Sequence, residues 1–162
     1  MKRLVKIKYN ILRISIGAVY LIFGFIKFIP HFSPAEDLAT NTISILTLGL
    51  LPTQFGLIIL ALGETIIGLF LILNWKPRFF IYLAIVHIIF TFTPLFLLPQ
   101  EIFGKDELVF TLAGQYIFKN IIILSALFSL KLELDINLKR LQNDNLSETL
   151  IPLNNHQKSF NQ

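Results

Sequence analysis

A run of twenty residues, TLAGQYIFKNIIILSALFSL at 111–130, is long enough to cross a bilayer yet carries a glutamine, a lysine and an asparagine. As a helix it stacks Thr111, Gln115 and Lys119 in one line, because residues four apart share a face. A lysine at the centre of a span costs about 2.5 to 3.5 kcal/mol, whereas each Ile, Leu or Phe returns only about 0.3 to 0.6. Such a helix enters a membrane as one member of a bundle whose other helices supply partners for its polar stripe. An ionisable group inside a span marks either a functional site or an ion pair that fixes helix packing, and both stay open here for Lys119.

Composition agrees with that environment. The chain is 54% hydrophobic with 16 phenylalanines and a mean hydropathy of +0.70, far from an average globular domain and expected of an integral membrane protein. At about 20 residues per span, its 162 residues hold a single domain of four spans with short connections. The absence of cysteine excludes disulfides, thiol redox pairs and thiolate-held zinc or iron–sulfur centres. His31, His87 and His156 are too far apart in the chain for a local metal motif, and only His87 lies in an apolar run. No metal site is therefore expected, nor a haem held by two histidines of this chain. The formal charge of +4 is no sign of nucleic acid, because the basic residues flank the spans instead of alternating with aromatics.

The basic leader MKRLVKIKYN precedes an apolar run at 11–29, too long for a signal peptide and without a small-residue cleavage site, so it is expected to remain as the first span. Arg13, Gly17, Tyr20, Gly24, Lys27 and His31 recur at spacings of three and four; this small and polar stripe should face protein. Arg13 and Lys27, near opposite ends, are expected to snorkel. Ser33-Pro34-Ala35-Glu36 has the form of a capping box, which predicts a short interfacial or re-entrant helix running to about Leu48.

The second span is expected at 54–73, with Glu64 near mid-depth and Ala61, Thr65 and Gly68 on its face. Burial alone favours the neutral acid, whereas a nearby lysine favours the carboxylate. After the turn Asn74-Trp75-Lys76-Pro77-Arg78, a third span is expected at 79–98, with Ala84, His87, Thr91 and Pro94 in line. Pro94 cannot donate to the carbonyl of Phe90, so a kink there needs a threonine hydroxyl or water for the freed oxygen. The fourth span is expected at 111–130. Residues 131–162 form a polar tail, partly disordered, in which Leu134, Leu138 and Leu141 suit an amphipathic helix and the alternation from Leu132 to Leu138 suits a strand.

Of the 14 basic residues, all but Lys27, Lys105 and Lys119 lie in the amino-terminal segment, the 74–78 turn and the tail. Both termini are therefore expected to be cytoplasmic. In that orientation Lys119 and Glu64 enter from the same face, about 10 and 15 Å deep at 1.5 Å per residue, and a Glu64–Lys119 ion pair is expected.

Three segments resemble the DoxX-like membrane proteins: RISIGAVYLIFGFIKF in the first span, GLLPTQFGLIILALGETIIGLFLILNWKPR through the second, and GQYIFKNIIILSALFSL in the last, with Gly114, Lys119 and Asn120 at matching places. The resemblance covers about residues 13–130. It implies a four-helix bundle in a prokaryotic cytoplasmic membrane and an association with redox chemistry, since relatives include a small subunit of a thiosulfate:quinone oxidoreductase and membrane partners of oxidative-stress enzymes.

The fold expected is thus all-α, an integral membrane four-helix bundle with one extra interfacial helix between the first two spans. Two functions stay open. In one, the chain is a membrane subunit of a redox or oxidative-stress complex, not an autonomous enzyme, and Glu64, His87, Gln115 and Lys119 hold or protonate a quinone head group. In the other it is a scaffold or a small anion or proton transporter, and the same residues form a structural network or conduit. The partners expected are the lipid bilayer and redox-complex subunits, with a homo-oligomer left open and no covalently bound cofactor.

Overall fold

The computed structural model describes residues 2–33, 35–104 and 109–159, and over these the chain is helical, without a strand. Seven helices follow in order: α1 (Lys2–Ile26), α2 (Glu36–Leu46), α3 (Thr53–Leu73), α4 (Pro77–Phe90), α5 (Pro94–Leu97), α6 (Pro99–Ile102) and α7 (Leu112–Ser159). Three helical stretches among the described residues, Leu4–Ile26, Thr53–Leu73 and Pro77–Leu97, are long and apolar enough to cross a membrane.

Helices α1 and α3 form the most extensive pairing in the molecule. Buried positions on α3 are Leu57, Ala61, Glu64, Ile67, Gly68 and Leu71, one helical face at spacings of three and four. Glycines make the approach close: a Cβ at Gly68 would strike the backbone of Leu21 and stand 2.7 Å from Gly17 O, and one at Gly24 would lie 2.7 Å from Thr65 N. The stripe of α1 containing Gly17, Tyr20 and Gly24 thus faces protein, as its composition predicts. Tyr9, Ile16, Tyr20, Ile67, Leu71, Ile81, Ala84, Ile88, Leu127 and Leu130 close the core across α1, α3, α4 and α7.

The outward faces are apolar too. Ile14, Ile22, Phe25, Ile58, Ile59, Leu62, Ile66, Phe79, Val86, Ile89, Ile121 and Ile122 are all exposed.

Several local expectations change. The capping box does not form: α2 starts at Glu36 with Ala35 at its N-cap and no side-chain cap, while Glu36 Oε2 accepts a hydrogen bond from the backbone N–H of His31 at 2.7 Å. Pro34 lies outside the described residues. The first helix ends at Ile26, short of the expected residue 29. Arg13 does not snorkel; it is 6% exposed and donates to the carbonyls of Leu71 and Ile72, where α3 runs out of its own donors. The helix that holds the expected fourth span continues past residue 130: α7 is a single helix of 48 residues, and residues 131–159 extend it without forming a strand. At 1.5 Å per residue it is about 72 Å long, more than twice the thickness of a hydrocarbon core.

The break before Pro94 forms as expected. Helix α4 ends at Phe90, and the freed Phe90 carbonyl accepts the Thr93 hydroxyl at 2.8 Å and the Thr93 N–H at 3.1 Å.

Candidate functional site

Polar side chains from four elements converge on a partly open cavity of about 230 Å³ beneath α2. Lys27, one residue past α1, points its Nζ at Glu64 Oε2 of α3 at 2.5 Å, and these side chains are 9% and 8% exposed. The other carboxylate oxygen, Oε1, lies 3.3 Å from His87 Nε2 on α4, in an alignment too bent to count as a full hydrogen bond. Behind the imidazole, Tyr20 O–H donates to Ala84 O at 2.8 Å and stands 3.2 Å from His87 Nδ1, its ring edge-on to the imidazole at 5.4 Å.

Two of the expected site residues, Glu64 and His87, are therefore in direct contact. Lys119 reaches the same cavity from α7 but does not pair with Glu64, as the sequence led us to expect; Lys27 takes that place. The reason is geometric: Lys27 continues the glycine stripe of α1, and that stripe is the surface α3 packs against. Lys27 consequently does not snorkel either. The ammonium of Lys119 lies over two aromatic faces instead, 4.1 Å from the Phe23 centroid and 3.7 Å from that of Tyr116. Gln115 is exposed and turns back to Phe110 O at 3.5 Å, so it stands apart from the other three.

Sequence reasoning assigned no site role to Lys27, Tyr20, Thr91 or Asn120, all on the cavity wall. Asn120 Nδ2 donates to Thr91 Oγ1 at 2.9 Å, and Thr91 donates onward to Ile88 O at 2.6 Å. The signal for Lys27 and Tyr20 was present in the α1 stripe, which also holds the glycines.

The Tyr20 hydroxyl has one proton and two acceptors within reach, Ala84 O and His87 Nδ1.

No cluster of three or more His, Cys, Asp or Glu suited to a metal ion occurs among the described residues. Compared with known proteins, the chain matches no family model, no curated protein and no solved structure.

Proposed function

We propose that the chain is a DoxX-like membrane subunit of a redox or oxidative-stress complex, with four spans, and that its cavity receives the head group of a quinone. The carrying observation is the cavity itself: about 230 Å³ of space walled largely by apolar side chains, onto which Lys27, Glu64, His87, Lys119 and Asn120 converge. Ligand sites combine an apolar cleft with a few placed polar groups. An apolar cavity of about 150 Å³ accommodates a benzene-sized ring, so a substituted six-membered ring fits here.

Membrane insertion is supported by three stretches of sufficient length and apolarity and by the exposed Ile, Leu and Phe around the bundle, a surface far more apolar than a soluble monomer presents. The first part of α7 supplies the fourth span, with Phe118, Ile121, Ile122 and Phe128 facing lipid. We place both termini, and the continuation of α7 beyond the span, on the cytoplasmic side of a prokaryotic cytoplasmic membrane, following the basic residues. The chain holds no redox centre of its own in this reading; the donor or acceptor of electrons is a partner subunit.

The scaffold reading has one observation in its favour, the mutual satisfaction of Lys27 and Glu64, but a purely structural network is most stable when closed and this one borders open space. The test is ligand-linked stabilisation. A soluble quinone analogue should raise the thermal midpoint of the purified chain, and less so in His87→Ala. No shift at saturation, in protein shown to be folded, would leave the scaffold or transporter reading in its place.

A further inference from the structure

We infer that the cavity is a site for an organic monoanion, an apolar body carrying one ionised oxygen, with Lys119 as the group that receives the charge. The inference rests on the proposed ring-binding cavity for the shape of the guest, and on the charges of the wall for its sign.

Two ammonium groups, Lys27 and Lys119, and one carboxylate, Glu64, line the cavity. Lys27 takes the carboxylate. His87 cannot repair the imbalance, because an imidazole is either neutral or positive and never adds a negative charge. Lys119 has no carboxylate partner among the described ion pairs. The faces of Phe23 and Tyr116 attract its charge but do not neutralise it. Its neighbour Asn120 is committed to Thr91, and Thr91 to Ile88 O. The three donors of the ammonium are the ones left for a guest.

The remainder of the wall selects against other anions. Val19, Leu60, Ile88, Pro94, Ile117 and Ile123 offer no hydrogen bonds from their side chains, so a small inorganic anion would exchange hydration for apolar contact over much of its surface. A second negative charge on the guest would meet Glu64. An ionised hydroxyquinone or an aromatic carboxylate satisfies both limits.

Three probes separate the possibilities with the full-length chain in detergent at fixed micelle concentration: 2-hydroxy-1,4-naphthoquinone, which is ionised at neutral pH; its neutral 2-methoxy ether; and benzoate, an apolar monoanion without a quinone. Calorimetry should show the hydroxyquinone binding about tenfold or more tighter than the ether, the size expected for one charge-assisted contact, with benzoate binding as well. The preference should disappear in Lys119→Gln and persist in Lys119→Arg, which keeps the charge if the glutamine variant fails to fold. Equal binding of hydroxyquinone and ether overturns the anion assignment and leaves the quinone reading standing. Binding of benzoate alone supports the anion site and removes the quinone. A preference that survives in folded Lys119→Gln, or no binding by any probe, overturns the inference.

Discussion

Lys27 and Glu64 meet at 2.5 Å beside the most extensive helix pairing in the molecule, with side chains only 9% and 8% exposed. Removing one member of such a pair leaves the other buried and uncompensated, at a cost of about 3–5 kcal/mol, whereas replacing both by apolar or neutral groups is often close to neutral. Lys27→Met and Glu64→Gln should each reduce the yield of folded, monodisperse protein severely, and the double variant should recover much of it. Lys119→Met should do far less, since Lys119 does not partner Glu64. Equal losses in both singles and the double would show that the two charges do not act as a pair.

The contact depends on glycine. A Cβ at Gly68 would meet the backbone of Leu21 and Gly17 O, groups with no rotamer to relax into, whereas a Cβ at Gly63 on the same helix would find nothing within 4 Å. Gly68→Ala should therefore destabilise by about 1–3 kcal/mol through overpacking. Gly63→Ala should stabilise by about 0.5–1 kcal/mol through helix propensity. Retention of soluble fluorescence-tagged protein after heating ranks the two variants, and the same sign for both would refute the packing argument.

Much of the helical content could be seen in the chain beforehand because apolar runs, the Pro94 break and the Asn74 turn are local matters. Glu64 and His87 could be found for the same reason: each is an ionisable residue in an apolar run. What could not be seen was which cation Glu64 chooses. Depth along a helix made Lys119 a reasonable partner, but pairing depends on how α1 packs on α3 and on α1 ending at Ile26, which frees Lys27 to turn inward. Arg13 escaped for a similar reason, since its carbonyl partners exist only where α3 ends. Position in a span says little about a long basic side chain until the neighbouring helix ends are known.

The continuation of α7 makes the topology testable in a new way. Asp135 lies 3.4 Å from Arg78, and Lys131 sits 4.9 Å from the Tyr82 ring centroid, so α7 passes the level of the 74–78 turn soon after residue 130. Reporter fusions at Lys76 and after Gln162 should therefore report the same side, which in the proposed orientation is the cytoplasm. Opposite signals from the two fusions would be incompatible with this arrangement of α4 and α7.

Arg13 offers the sharpest contrast between two arginines of one chain. Its guanidinium is buried and donates to Leu71 O and, at 2.7 Å, to Ile72 O, tying α1 to the end of α3. Hydrogen bonds from charged donors contribute about 1.5–3 kcal/mol; both of these come from the single nitrogen Nη1 at the far end of the arginine side chain, and the shorter lysine stem leaves its ammonium short of the two carbonyls. Arg13→Met should lower the thermal midpoint markedly, and Arg13→Lys should recover less than half of the loss. Arg78, whose side chain is 60% exposed in its contact with Asp135, belongs to the class of surface pairs that contribute little. Arg78→Met should leave the midpoint nearly unchanged. If Arg13→Lys matches the wild type, or Arg78→Met is as damaging as Arg13→Met, Arg13 does not hold the end of α3 in the way its two bonds require.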